Sequence, residues 1–261
     1  MSELQTSDNL AQQLPPGAIS GLLDAPLYSI IIPIHNEADC LQDEVENLTT
    51  WLDEQEVDYE LWLCENGSTD DTPHISKALA EENPRIQFLH NPIPDYGLAM
   101  KSGMLNAQGE YIANFDIDYY DVPFLLAAGK LLTDTNADIV VGSKLTKGSE
   151  DKRSFARRCV SLGFTIVLRV LFDSHIDDTH GMKLLKRKIV HEYASRTVRT
   201  QDLFDTELII RARRGGVKVG SLPVICEEKR KARSSIVRRI PRTVVGLLQL
   251  RVMLWREGNT K

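Results

Sequence analysis

Short apolar runs alternate with amphipathic stretches through roughly the first half of the chain, and this alternation constrains the fold more than any single motif. The segments Tyr28-Ser-Ile-Ile-Ile-Pro33, Tyr59-Glu-Leu-Trp-Leu-Cys64, Arg85–His90, Tyr111–Phe115 and Asp138–Gly142 have the length and residue types of strands. Between them, residues 38–55 place Leu41, Val45, Leu48 and Leu52 at helical spacing with acidic residues between. Asp70–Glu82, Leu98–Ala107 and Val122–Asp134 read as further helices. Strands alternating with helices of about 10–15 residues form βαβ units, so the expected class is α/β with a mostly parallel central sheet flanked by helices. Ligands of such sheets bind beyond the carboxyl ends of the strands. Polar clusters stand at those ends: His35-Asn36-Glu37, Glu65-Asn66-Gly67-Ser68 and Asp116-Ile117-Asp118.

Composition excludes several other classes. With 261 residues, 42% hydrophobic and 26% charged, the chain can bury a large core and is neither disordered throughout nor fibrous. No run of eighteen apolar residues offers a simple membrane span. Residues 1–26 are polar and contain Pro15-Pro16. They read as a mobile tail without the basic start and apolar core of a secretory signal. Cys40, Cys64, Cys159 and Cys226 form no CxxC pair or zinc pattern, and are expected as reduced, buried thiols of a cytoplasmic protein.

Charge divides sharply along the chain. Residues 1–130 carry a net −19 and residues 131–261 a net +13. A basic second half suits phosphates, lipid headgroups or nucleic acid, although two oppositely charged halves also attract each other. No nucleic-acid module accompanies it. Residues 152–172 and 236–256 each join a basic start to a run of Val, Leu, Ile and Phe or Trp. Either is expected to be a basic amphipathic helix, lying in a membrane interface or packed on the core or on a second subunit.

Asp116 and Asp118 end a strand one residue apart, where two carboxylates can hold a hard cation such as Mg²⁺ or Mn²⁺. The same pattern also occurs in solvated acidic loops. Asn36 could cap a helix with Glu37 as a favourable first-turn charge, Gly67 permits a left-handed turn, and Lys101 could reach a phosphate or remain in solvent.

In order, Ile31-Ile-Pro-Ile-His-Asn-Glu37, Glu65-Asn-Gly-Ser-Thr-Asp-Asp-Thr72, Gly97-Leu-Ala-Met-Lys-Ser-Gly103, Ala107-Gln-Gly-Glu-Tyr-Ile112 and Asp116-Ile-Asp118 resemble the family 2 glycosyltransferases of the GT-A fold. Gly142-Ser-Lys144, Arg157-Arg-Cys-Val-Ser161, Asp178-Thr179-x-Gly181-x-Lys183, Phe204-Asp-Thr-Glu-Leu208 and Arg230-Lys-Ala-Arg-Ser-Ser235 resemble the polyprenyl-phosphate sugar synthases within that family, such as dolichyl-phosphate mannose synthase.

The resemblance implies a GT-A domain over residues 27–235 and a C-terminal amphipathic helix over 236–261. It implies inverting transfer of a sugar, mannose from GDP-mannose in the first instance, to a polyprenyl or dolichyl phosphate. A glycan hydroxyl acceptor, a UDP-sugar donor and a nucleotide-sugar-binding pseudoenzyme are the alternatives. Mg²⁺ or Mn²⁺ is implied at Asp116 and Asp118, which are also the expected catalytic residues. Pro33, His35, Glu37, Glu65, Ser68, Lys101 and Asp116 are expected around the nucleotide. Lys144, Arg157, Arg158, Arg230 and Arg233 are expected on the acceptor and donor phosphates. Asp178, Lys183, Asp205 and Glu207 are expected as sugar-orienting or structural residues, and Asp205 or Asp178 would be the base for a hydroxyl acceptor. The implied location is cytoplasmic, peripheral on a membrane face or held there by a membrane-anchored partner. The sequence departs from the family where Glu65-Asn66 replace two aspartates and where Tyr120 replaces a further metal contact.

Overall fold

The computed structural model describes residues 27–144, 146–152, 154–172, 179, 181–226 and 236–258. The first part alternates strictly: β1 (Tyr28–Ile34), α1 (Leu41–Glu54), β2 (Tyr59–Asn66), α2 (Thr72–Glu82), β3 (Ile86–Asn91), α3 (Tyr96–Asn106), β4 (Tyr111–Asn114), α4 (Val122–Asp134) and β5 (Ile139–Ser143). There follow β6 (Glu150–Asp151), α5 (Phe155–Phe172), β7 (Lys183–Lys186), helical turns over Arg187–Ile189, Val190–Ala194 and Gln201–Leu203, α6 (Phe204–Arg214), β8 (Val219–Pro223), β9 (Ile225–Cys226) and α7 (Ile236–Gly258).

Seven strands form one sheet in the order β3-β2-β1-β4-β7-β5-β8, and β6 pairs with β9 beside it. Every pairing in the large sheet is parallel except the two made by β7, which runs antiparallel between β4 and β5. The α/β, mostly parallel expectation holds. The strand β7 is the addition, and it carries Lys183 into the middle of the sheet.

The period-2 alternation of strand side chains divides the core. Ile30, Ile32 and Ile34 of β1 face one layer with Leu41, Val45, Leu48 and Leu52 of α1 and Leu125 of α4. Ile31 faces the other layer with Met100 and Met104 of α3, Leu208 of α6, Leu168 of α5 and Leu247, Leu250 and Leu254 of α7. The C-terminal helix therefore shares a core with the sheet. It is also fastened by polar bonds: Arg211 of α6 grips Glu257 with its two terminal guanidinium nitrogens at 2.7 and 2.9 Å, and Arg242 donates to Asp202. Glu207, buried behind Arg211, accepts from it and from the backbone N–H groups of Val198 and Arg199. Of the two roles the sequence left open for Glu207, these bonds are the structural one.

Cys40 and Cys64 are buried free thiols, and burial pushes Cys64 up to about 12. Cys159 departs from the expectation. It is exposed, because α5 turns that side to solvent.

The glycines of the Gly97–Gly103 motif are packing residues. A Cβ on Gly103 would lie 2.5 Å from Cys64 Sγ and 2.7 Å from Ile31 Cγ2, so the missing side chain lets α3 approach the sheet. A Cβ on Gly97 would lie 2.8 Å from the backbone at Gln201. Lys101 between them corrects the phosphate-binding expectation. Its ammonium donates to the carbonyls of Thr197 at 2.7 Å and Ser195 at 3.2 Å, satisfying the end of a helical turn. Overpacking a close contact costs about 1–3 kcal/mol. Gly103→Ala is accordingly expected to lower the unfolding free energy by that amount, read as a lower denaturant midpoint at unchanged slope, and an unchanged midpoint would contradict the packing role.

Candidate functional site

The carboxyl ends of β1, β2 and β4 converge on one edge, as the parallel register requires. The loops after β1 and β2 are sewn together. Asn36, held at φ 57°, accepts from Thr69 N at 2.8 Å, and its own N–H donates to Ser68 Oγ at 2.9 Å. Glu37 N donates to Thr72 Oγ1, and Ala38 N to Asp70. Asn36 is thus a loop tie, and helix α1 starts only at Leu41. Pro33 sits in β1 opposite Cys64 of β2. The side chains of Glu37, Asp39 and Cys40 offer ligand atoms within 4.8 Å of one another, a separate small acidic cluster on the same loop.

Glu65 corrects the expectation of a nucleotide contact. Its carboxylate is wholly buried and accepts from Ser68 N at 2.6 Å and from the His90 imidazole. Burial opposes its charge, but the Ser68 and His90 bonds more than offset this and hold Glu65 below the usual carboxylate range. It shapes the loop rather than offering itself to a ligand. His35 donates through Nδ1 to the Asn66 carbonyl at 2.8 Å.

Asp116 and Asp118 lie on a tight turn in which Asp116 and Tyr119 exchange backbone hydrogen bonds. Asp116 is exposed at the surface of this turn, with Asp118, Asp205, Lys183 and Lys144 near enough to act on its charge. Desolvation raises its carboxyl to about 6, with Asp118 and Asp205 pushing the same way and Lys183 and Lys144 opposing. Clustered carboxylates that raise one another's pKa fit a divalent cation, whose charge would relieve the repulsion, and their hard oxygens suit Mg²⁺ or Mn²⁺. Tyr120, where the family has a further metal contact, instead donates to Glu44 of α1 at 2.8 Å.

Behind this turn lies a buried ion pair. Lys183 is 0% exposed and donates to Asp205 Oδ1 at 2.9 Å. Tyr96, at the start of α3, donates to Asp205 Oδ2 at 3.1 Å. Burial, together with Asp205 and Asp116, holds the Tyr96 phenol well above its ordinary value, so it stays a donor. Both Asp205 oxygens are therefore occupied, and the sequence offered no sign of Tyr96. The register explains the position of Lys183, which pairs with Asn114 of β4 and Val141 of β5 and so sits beneath the DxD turn and the start of the Lys144 loop. Lys144 and Arg157 are half-buried, and Arg158 is exposed at the start of α5. Asp178, Arg230 and Arg233 lie outside the described residues.

The chain belongs to glycosyl transferase family 2, whose model matches residues 29–194. It is 26% identical over 219 residues to the glycosyltransferase AglD of Haloferax volcanii, covering 81% of this chain and 35% of that protein. It is 29% identical over 210 residues to the dolichyl-phosphate beta-glucosyltransferase ALG5A of Trichomonas vaginalis, covering 75% of this chain and 64% of the relative. This chain thus spans less than two thirds of either relative. Among solved structures, the fold is similar to a mannosyltransferase of Pyrobaculum calidifontis in complex with GDP-Man and Mn²⁺ (TM-score 0.56, 20% identity, 90% of this chain and 66% of that one). It is also similar to glucosyl-3-phosphoglycerate synthase of Mycobacterium tuberculosis in complex with Mn²⁺, UDP and glucosyl-3-phosphoglycerate (TM-score 0.60, 21% identity, 87% and 80%).

Metal ligands must be deprotonated, so a carboxyl raised to about 6 weakens cation binding below that pH. Mn²⁺ affinity, followed by electron paramagnetic resonance, is expected to be about tenfold weaker at pH 5 than at pH 7.5. Asp116→Asn should remove most of this dependence, and a flat profile in the unaltered protein would contradict the assignment.

Proposed function

We propose that this chain transfers a hexose, glucose or mannose, from a nucleoside diphosphate donor to a polyprenyl phosphate, with inversion at the sugar. The observation that carries the acceptor assignment is the surface of α5 and α7. On α5, Phe155 (75% exposed), Leu162, Ile166 and Val170 face outward. On α7, Val245, Leu248, Val252 and Trp255 (57% exposed) do so at intervals of three, four and three residues, beside the exposed Arg251 and Arg256. Single exposed apolar residues are ordinary, but two packed helices each showing such a stripe beside arginines match a lipid interface. No helix among the described residues is long and apolar enough to cross a membrane. The relatives named as dolichyl-phosphate glucosyltransferases support the same reading.

The reaction balances simply. An oxygen of the acceptor phosphate attacks the anomeric carbon, the bond from that carbon to the diphosphate breaks, and the nucleoside diphosphate leaves. A phosphate acceptor is already ionised near neutral pH, so no general base is required. The state of Asp205 agrees with this. Both oxygens are occupied inside the protein, so it is poorly placed to take a proton from a hydroxyl acceptor. Asp116 and Asp118 would hold the divalent cation, which when bound supplies charge stabilisation to the leaving diphosphate. Lys144, Arg157 and Arg158 are proposed for the acceptor phosphate, because Lys144 directly follows β5 and the two arginines open α5, the helix that carries the exposed apolar stripe. Arg230 and Arg233 are proposed for the donor phosphates, which guanidinium groups match bidentately. The proposed location is the cytoplasmic face of a membrane.

Purified protein with Mn²⁺, radiolabelled UDP-glucose or GDP-mannose and polyprenyl phosphate in vesicles should place label in the lipid phase, and Asp118→Ala should abolish it. Leu248→Glu should reduce transfer in vesicles while sparing a short, detergent-soluble polyprenyl phosphate. Label that enters only a soluble glycan would contradict the proposal.

A further inference from the structure

If α5 and α7 lie against lipid, as proposed above, the groove beside the second half of α7 opens onto that lipid. Its volume is about 660 Å³, within the range of ligand clefts. Leu248 and Val252, two members of the exposed stripe, line it together with Met253, so its apolar wall is continuous with that stripe. Gln249, Val252, Met253 and Arg256 stand three and four residues apart and so share one side of the helix. Arg199, from the segment before α6, lines the groove from outside α7. No residue of the DxD turn takes part.

The polar groups here are donors held in place before any ligand arrives. Arg199 is fixed at its backbone, where its N–H donates to Glu207 at 2.6 Å, and at its tip, where Nη1 donates to Gln249 Oε1 at 2.9 Å. A guanidinium only donates, so this contact leaves Gln249 Nε2 as a further donor. Arg199 Nε is buried and has no hydrogen-bond partner among the described residues. With Nη1 in use, Nε and Nη2 form the edge that matches two oxygens of a phosphate. Unlike an amide, that edge cannot be turned round into an acceptor. Arg256 adds a second guanidinium to the lining. Glu257 is the acid beside them, and its charge is answered. Arg211 holds it at 2.7 and 2.9 Å, and with Arg196 and Arg214 keeps it below the usual carboxylate range.

We propose that this groove seats the phosphate headgroup of an anionic bilayer phospholipid, with Arg199 on the phosphate oxygens and Leu248, Val252 and Met253 along the upper acyl chain. It is a second lipid site, separate from the acceptor phosphate proposed at Lys144, Arg157 and Arg158. A soluble phosphate ester would use the donors and gain nothing from the apolar wall, and an uncharged lipid chain would leave Arg199 Nε unpaired at a cost. A phospholipid uses both. Trp255, exposed on the same helix, suits the headgroup depth that this places it at.

Flotation of the full chain with vesicles tests the groove. Phosphatidylcholine vesicles are compared with vesicles that also contain phosphatidylglycerol, at one ionic strength, and tighter binding to the anionic vesicles is expected. Arg199→Lys keeps the charge and loses the fork. General attraction to an anionic surface predicts no change, whereas the groove predicts about fivefold weaker binding. Arg251→Lys, the same exchange outside the groove, is expected to have no effect. Gln249→Glu, at an exposed position, would occupy Arg199 from within the protein. It is expected to weaken binding more than Arg251→Gln, which changes the net charge equally. Melting temperatures confirm that each variant is folded. Excess glycerol 3-phosphate is expected to leave the bound fraction unchanged, and release by it would overturn the lipid in favour of a soluble phosphate. Undiminished binding in folded Arg199→Lys or Gln249→Glu, an equal loss in Arg251→Lys, or equal binding to neutral and anionic vesicles would overturn the headgroup site and leave the lipid-facing surface intact. Failure to bind either kind of vesicle would overturn that surface and the headgroup site with it.

Discussion

The buried bond between Lys183 and Asp205 organises the region around the DxD turn. Taking two charges out of water is costly and is recovered only with good geometry and satisfied partners. Here Asp205 gains a second donor in Tyr96, so each of its oxygens is bonded. The three residues come from β7, α6 and α3, and the bonds pin the first turns of both helices to the sheet. Removing one partner of such a pair typically costs about 3–5 kcal/mol, so the arrangement tolerates little drift. Its cation also stands close enough to Asp116 to oppose the rise in that carboxyl's pKa.

From this centre the polar network extends in two directions. Asp95 caps α3 at Leu98 N and also accepts from Gln201 N at 2.8 Å, joining α3 to the segment before α6. The adjacent Asp202 takes Arg242 of α7, and Glu207 with Arg211 and Glu257 fastens the far end of the same helix. The helix proposed to face lipid is thus tied at both ends to the body that carries the loops proposed to hold the donor. Toward the strand edge proposed for the nucleotide, the loops after β1 and β2 hold each other through Asn36, Ser68 and Thr72, so little ordering would remain for a ligand to impose.

Much of this was legible in the sequence because it rests on local pattern. The first five strands and four helices follow from apolar periodicity, with ends displaced by a few residues where loop ties such as Asn36 postpone the helix. The DxD edge was legible for the same reason, since an apolar strand leads into it. What was not legible depends on partners distant along the chain. A lysine in a central strand runs against expectation unless paired, and its partner is 22 residues away. Tyr96 is 109 residues from Asp205. Glu65 looked like a ligand contact by chemical type, but His90, 25 residues on, claims it. The Gly97–Gly103 motif was visible, but its use in packing and in satisfying the carbonyls of Ser195 and Thr197 emerged only in three dimensions.

In the proposed reaction, cation and diphosphate meet at the DxD turn, above the Lys183–Asp205 pair. The most direct test is a crystal grown with Mn²⁺ and UDP or GDP, with anomalous data at the manganese edge. A single strong peak within coordination distance of Asp116 or Asp118 and a diphosphate oxygen is the predicted result. A peak at Glu37, Asp39 and Cys40, or a diphosphate remote from Asp116 and Asp118, would contradict it.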